Sequence, residues 1–388
     1  MQKPVRRSQL ALLLSLWACS APQPPEGPPG AWWVGERPAV EALLVQLGAL
    51  EGTPLGTWAG RLDRALPEGC ARLGSHAPDG DLAALSQTAR CVAEGDALDD
   101  ALSRAQREDH GTQLAFGHVD SEVGSLRGAL RVDAAEVALG IDWRDLQAEG
   151  ALALLLPGDA GAGPDRLARD GRLLHARVRP AEGVDLSALA PQDSQADRLF
   201  ALRSALFESA VLDGTWELAL YAPETPGSLP AAALALGVRS PRAAAAAAEA
   251  FLAELGATWS VSGSPLSLPA GTGSCLLELA VLPELAPCYV STETALVVAW
   301  NSRALGRALR SGPGAAAAEA DPQAAGRLEL DLERVGRSDA RAARRLAELQ
   351  GVDAPVIDWP WRRLSASARR RGDALRVDAR LLTGGGSS

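Results

Sequence analysis

Lysine is almost missing from this sequence: Lys3 is the only one in 388 residues. Beyond that position the chain offers no amine for a Schiff base, no phosphate-loop lysine and no Ser-Lys nucleophile pair. Histidine is scarce too. His76, His110, His118 and His175 are the full set, and no two stand at a metal-ligand spacing such as HxxxH. Basic charge is in deficit: a net charge of −10 argues against a nucleic-acid partner, which calls for a basic footprint. Aromatics make up 4% of the chain, and ten of those residues are Trp, so alanine and leucine must fill most core positions. Apolar content of 47% nonetheless suffices for a sizeable core and sets the chain apart from disordered sequences.

Long apolar runs are absent as well. The run from Leu10 to Trp17 is far shorter than the ~20 residues a spanning helix needs. It follows Lys3, Arg6 and Arg7 and precedes Ala18-Cys19, which is the layout of an export signal. The quartet Leu16-Trp17-Ala18-Cys19 resembles the lipobox of bacterial lipoproteins, with Trp17 a departure from the small or β-branched residue usual there. The resemblance covers residues 1–19. It implies lipidation (palmitate) of Cys19, attachment to a membrane through that lipid, and a place in the cell envelope. Ser20 is not the aspartate that favours inner-membrane retention in enteric bacteria, so by analogy the outer membrane is expected, facing the periplasm or the cell surface. The bland alternative is an ordinary signal peptide cut nearby. Residues 20–30, SAPQPPEGPPG, cannot bury apolar surface and read as a stiff tether.

Five cysteines are present. With Cys19 taken by lipid, Cys70, Cys91, Cys275 and Cys288 are left, an even number in an oxidising compartment. Three pairings can be drawn, and proximity favours Cys70–Cys91 and Cys275–Cys288. Zinc is the weaker reading, because no CxxC pair exists.

Charge is unevenly spread. From Leu330 onward twelve Arg face eight Asp and Glu. Arg362, Arg363, Arg369, Arg370 and Arg371 make up a candidate contact for anionic headgroups or an acidic partner. The competing reading is a solvated hairpin surface.

Periodicity divides the chain. Helical spacing covers Pro38 to about Gln106, and period-two alternation follows Gly111. Leu126–Val132 and Val137–Trp143 read as a hairpin, Ala151–Leu156, Leu173–Val178 and Trp216–Leu220 as strands, and Ser194–Leu212 as a helix. Ser240-Pro241 opens an alanine-rich helix that Gly256 is expected to end. Strands are expected at Thr258–Ser262, Cys275–Leu282, Cys288–Ser291, Ala295–Trp300 and Arg327–Leu332, helices at Ser302–Arg310 and Ser338–Leu349, and a last hairpin from Trp361 to Leu382. Two weak internal matches suggest duplication: Gly111-Thr112 with Gly214-Thr215, and the hexapeptide of residues 129–134 with residues 374–379. The body loosely resembles uncharacterised duplicated α+β envelope domains.

The expected architecture is therefore α+β, an antiparallel amphipathic sheet with helices on one side, in two related halves. The expected segments are 1–18 signal, 19–31 anchor and tether, 32–192 and 193–383 the two halves, and 384–388 a frayed tail. No GxSxG motif is present. Gly271-Thr272-Gly273-Ser274-Cys275 reads as a turn into a strand, and the glycines of 158–163 lack the context of a dinucleotide site. His118 with Asp120, and Asp331 with Glu333, read as surface pairs before they read as acid–base pairs. Trp32-Trp33 and Trp359-Pro360-Trp361 invite a sugar-stacking story, but docking and core packing are the ordinary roles. No cofactor and no metal are called for. The functional expectation is a non-enzymatic binding or scaffolding module with an envelope protein partner. The rivals are a carrier of lipid or another apolar ligand, and a hydrolase without a recognisable motif.

Overall fold

The computed structural model describes residues 30–48, 54–78, 82–85, 87–108, 113–121, 124–132, 136–144, 156–180, 211–223, 230–277, 286–310, 324–338, 344, 361–372 and 374–383. The chain forms an α+β protein with open, antiparallel sheets. Its contacts fall into two compact units: Met1–Gln147 with Trp359–Ser388, and Ala148–Asp358. These bounds differ from the expected halves meeting near residue 192. The reason is that the C-terminal hairpin returns to pair with strands from the N-terminal part of the chain.

In the first unit, β1 (Ala31–Glu36), β2 (Arg72–Ala77), β3 (Arg90–Cys91), β4 (Gln113–Ser121), β5 (Gly124–Val132), β6 (Glu136–Arg144), β15 (Trp361–Arg371) and β16 (Ala374–Thr383) lie in the order β15-β16-β6-β5-β4-β1-β2-β3. Helices α1 (Arg37–Gly48), α2 (Pro54–Ala65), α3 (Leu82–Leu85) and α4 (Ala97–Glu108) intervene. Successive residues of a strand point to opposite faces, and β1 uses both. Trp33 packs with Val40, Leu44, Leu62 and Leu73 from the α1–α2 side. Trp32 and Val34 pack with Leu98, Ala101 and Leu102 of α4 on the other side. The stretch expected to be helical throughout therefore contains β2 and β3. Gly74 on β2 allows α4 its close approach, since an added Cβ would meet Val92 Cγ2 at 2.8 Å and Leu98 Cδ1 at 3.0 Å. The hexapeptide match resolves into β5 and β16, which flank β6 on opposite sides. Arg376 of β16 sits opposite Asp142 of β6 and bonds it at 2.7 Å, across 234 residues of chain.

In the second unit, β7 (Arg172–Val178), β8 (Leu212–Tyr221), β9 (Ala231–Val238), β10 (Gly263–Leu268), β11 (Gly271–Leu276), β12 (Cys288–Ser291), β13 (Ala295–Ala299) and β14 (Gly326–Leu330) run in the order β10-β11-β12-β13-β9-β8-β7-β14. Helix α5 (Pro241–Trp259) covers one face through Ala244, Ala248 and Leu252 against Leu276, Tyr289 and Leu296. Helix α6 (Ser302–Ala308) covers the other through Ala304, Leu305 and Ala308 against Val290, Val297 and Ala235. Helices thus flank both faces in each unit, which the expectation of one-sided packing missed. Alanine-rich strands such as β9 give no polar face from which to read a solvated side.

Local boundaries moved for identifiable reasons. Ser240 caps α5, with Ala243 N–H donating to its hydroxyl at 3.4 Å, and Pro241 follows, as expected. Gly256 does not end the helix. It lies buried inside it, where a Cβ would come within 2.7 Å of Val261 O, and the left-handed residue that closes the helix is Ser260, with φ of 56°. Residues 263–268, not 258–262, form the strand that follows, and Gly271–Leu276 is itself a strand rather than a turn into one. Asp331 belongs to no strand face. It caps a helix over 332–338 by accepting from Arg334 N–H at 2.9 Å. The expected helix at Ser194–Leu212 and the strand at Ala151–Leu156 fall mostly outside the described residues; Leu212 opens β8.

Candidate functional site

The densest polar arrangement among the described residues is buried in the second unit, and β7 and β8 build it. Arg177 stands directly opposite Glu217, and His175 opposite Ala219. Strict alternation would put Arg172 on the far face from His175. A register irregularity between Arg172 and Leu174 brings Arg172 opposite Tyr221, on the same face as Glu217 and Ala219. Arg172, His175, Arg177, Glu217 and Tyr221 therefore share one face. Thr215, Glu217, Ala219 and Tyr221 are its buried side, while the Trp216, Leu218 and Leu220 stripe is only half-buried.

The irregular segment from Leu156 to Gly171 lies over this face, and the buried charges satisfy its backbone. Glu217 is 0% exposed and Arg177 1%. Glu217 Oε1 accepts from Leu167 N–H at 3.1 Å, Arg172 Nη2 at 3.2 Å and His175 Nε2 at 3.0 Å. Oε2 accepts from Arg166 N–H at 2.7 Å and lies 3.5 Å from Arg177 Nη1. An ionised carboxylate only accepts, so the His175 hydrogen sits on Nε2. Arg177 donates to the carbonyls of Ala162 and Pro164, Arg172 to those of Leu167 and Ala168, and Tyr221 Oη to Ala168 O at 3.0 Å. Asp165 closes the cluster, 2.9 Å from Arg169 Nε and 3.4 Å from Arg172 Nη1. Arg307 covers Tyr221 from outside, its guanidinium 5.2 Å from the ring centre.

Electrostatics follow from this geometry. Burial, the largest influence on Glu217, pushes its pKa up. The His175 hydrogen bond, the Arg166 amide and the Arg177 guanidinium together outweigh it and hold the carboxyl below its ordinary value. Asp165 follows the same pattern, with burial opposed by His175, Arg172 and Arg169. Burial lowers the Arg177 pKa against the pull of Glu217. Burial also raises the Tyr221 hydroxyl to about 12.

Asp165, His175 and Glu217 each offer a ligand atom, all within 4.8 Å of one another. The donor set does not suit a cation as it stands. Arg172 and Arg177 already neutralise the two carboxylates, and a metal ion would meet both guanidiniums at close range.

A second feature of this unit is a cleft of about 630 Å³ between α5 and strands β10 to β12. Leu252, Leu276 and the Tyr289 ring form its buried floor. Ala245, Ala253 and Gly256 keep the helix wall low, and Glu249 stands on it as an exposed carboxylate. Trp259 and Leu277 add exposed apolar surface where α5 ends, with Leu277 N–H bonded to Ser262 O at 2.9 Å.

Of the residues singled out from sequence, Cys70 and Cys91 are bonded, with Cα atoms 5.4 Å apart, and so are Cys275 and Cys288, 4.0 Å apart. The first bridge ties β3 to the approach to β2; the second joins directly opposed residues of β11 and β12. Arg362 and Arg363 are exposed at the start of β15. Arg369 and Arg370 are half-buried near its end, on the order of 20 Å along the strand. The Arg371 side chain lies outside the described residues; the other four arginines stand in two pairs along β15. Cys19, His110 and Trp359 lie outside the described residues, as do the side chains of His118 and Asp120. Trp32 and Trp361 are buried, and Trp33 donates to Leu85 O at 3.2 Å, which favours docking over sugar stacking. The Glu217 cluster was missed. Its signal was a carboxylate between Trp216 and Leu218 in a strand apolar on both sides.

No protein-family model matches this chain, and no curated protein or solved structure was found to be similar to it. No helix among the described residues is long and apolar enough to cross a membrane.

Proposed function

We propose that this chain is a non-enzymatic binding or scaffolding module of the bacterial envelope, exported and held on a membrane, by preference the outer one, through a lipid on Cys19. The observation that carries the reading is the closure of the Glu217 cluster. Five donors surround its two oxygens, and every one is fixed by the strand pair or by the segment above it. Such a carboxylate is a structural anchor for backbone, with no direction left for a reactant. The lipobox-like quartet supports the address, and exposed Arg362 and Arg363 suit a contact with anionic headgroups. Among the described residues each unit has eight strands, which supports the proposal that the chain is built from two related halves. Labelled palmitate tests the anchor: the wild-type chain should take it up and sediment with membranes, and Cys19→Ser should do neither. Unlabelled wild-type chain in the soluble fraction would end the lipoprotein reading.

A second reading, a carrier of an apolar ligand, is favoured by the α5 cleft, whose volume falls within the range of about 300–1,000 Å³ of small-molecule sites. Native mass spectrometry of the Cys19→Ser chain should then show added mass that denaturation releases.

A further inference from the structure

The α5 cleft is chemically one-sided. Tyr289 is 6% exposed, lines the cleft, and its hydroxyl has no hydrogen-bond partner among the described residues. Glu249 lines the same cleft from α5 and is in no ion pair among the described residues; after burial, its charge is the second cause that raises the Tyr289 pKa. No Arg, Lys or His lines the cleft among those residues. A phenol and a carboxylate thus line one cleft that, among the described residues, carries no cation, above the buried Leu252 and Leu276.

From this we infer that the cleft binds an amphiphile with a cationic ammonium head, seated between Glu249 and Tyr289, and an apolar tail directed along α5. The inference rests on the apolar-ligand reading of this cleft. An ammonium donates to both oxygens and also meets the face of a tyrosine ring favourably. An anionic head would meet the Glu249 carboxylate with nothing to offset it. From Glu249 to Trp259 the helix rises about 15 Å at 1.5 Å per residue. Along that path the helix wall is Leu252, Ala253 and Gly256, the strand wall carries Pro265 with Thr272 and Ser274, and the exposed apolar groups Trp259 and Leu277 stand where α5 ends. The tail therefore has apolar surface to follow on the helix side and floor, and the small helix residues leave it room.

The test is calorimetric titration of the full chain carrying Cys19→Ser with dodecylammonium and with dodecanoate, each below its micelle concentration. Dodecylammonium should bind about tenfold or more tightly than dodecanoate, and Glu249→Gln should remove that preference. Glu254→Gln, on the same helix but outside the cleft, should leave it intact, which separates the site from attraction to a chain of net charge −10. Ala253→Trp, which fills the cleft from an exposed helix position, should abolish binding of both probes. Equal binding of the two probes, lost in Ala253→Trp, overturns the cationic preference and leaves the apolar site standing. Binding of neither probe, or binding that Ala253→Trp does not disturb, overturns the cleft itself and the carrier reading with it.

Discussion

The guanidinium of Arg177 lies 3.5 Å from the carboxylate of Glu217, directly across the β7–β8 pair, and both side chains are withdrawn from water. Removing one partner of such a pair leaves the other charge buried without compensation. Glu217→Gln keeps the shape and removes the charge that faces Arg172, His175 and Arg177. We expect it to destabilise the chain by about 3–5 kcal/mol, read as a lower urea midpoint. A midpoint unchanged from wild type would mean that the cluster does not hold the 156–171 segment.

The same cluster sets a pH dependence. Asp165 and Glu217 have folded pKa values below their reference values of 3.8 and 4.5. The folded chain then binds fewer protons than the unfolded one, so their contribution is present above those reference values. It is lost as pH falls through the lowered folded values. Stability should therefore drop on acidification below about pH 4.5, and the drop should be shallower in Glu217→Gln. Tyr221 acts on the other limb. Raised from 10.0 to about 12, it contributes below pH 10 and loses that contribution as pH rises toward 12. Unfolding titrations from acid to alkaline pH should show both limbs, with the alkaline one reduced in Tyr221→Phe.

Each disulfide closes a short loop, with sequence separations of 21 and 13. By the loop-entropy relation each contributes about 3 kcal/mol. Paired Ser replacements at Cys70 and Cys91, or at Cys275 and Cys288, should each lower stability by that amount. Each pair should act on its own unit: limited proteolysis should open the first unit in the former case and the second in the latter.

The cysteine pairs, the Ser240-Pro241 start of α5 and the two hairpins were legible because each is a local signal. Cysteines 21 and 13 residues apart, a capping residue before proline, and alternation on either side of a short turn are all short-range in sequence. The unit boundaries were not legible, since the pairing of β16 with β6 joins residues more than 230 apart. The helical reading of residues 38–106 failed at β2 because Arg72–Ala77 alternates too briefly to show a period, and its partner β1 lies beyond an intervening helix pair. The Glu217 site was hidden by a register irregularity. Arg172 and His175 are three apart, which in an unbroken strand places them on opposite faces, and only the bulge unites them. The apolar alternation of Trp216, Leu218 and Leu220 also marks the half-buried face, not the one that carries the charges.

Gly74 offers a stability test independent of charge. It lies on β2 opposite Val34, on the face where α4 packs. A methyl group there would stand 2.8 Å from Val92 Cγ2, 3.0 Å from Leu98 Cδ1 and 3.0 Å from Trp33 O. Two of these neighbours are side chains able to shift by a fraction of an ångström, but the third is sheet backbone and holds its place. Gly74→Ala should therefore push α4 away from Trp32 and Val34, at a cost of about 1–3 kcal/mol typical of an overfilled core. Replacing Val92 by Ala in the same chain removes the nearest obstacle and should recover part of that loss. A double-mutant cycle measures the coupling. Full additivity would place α4 farther from β2 than these distances do, whereas partial rescue fixes Gly74 as the position that sets the depth of helix packing on this face.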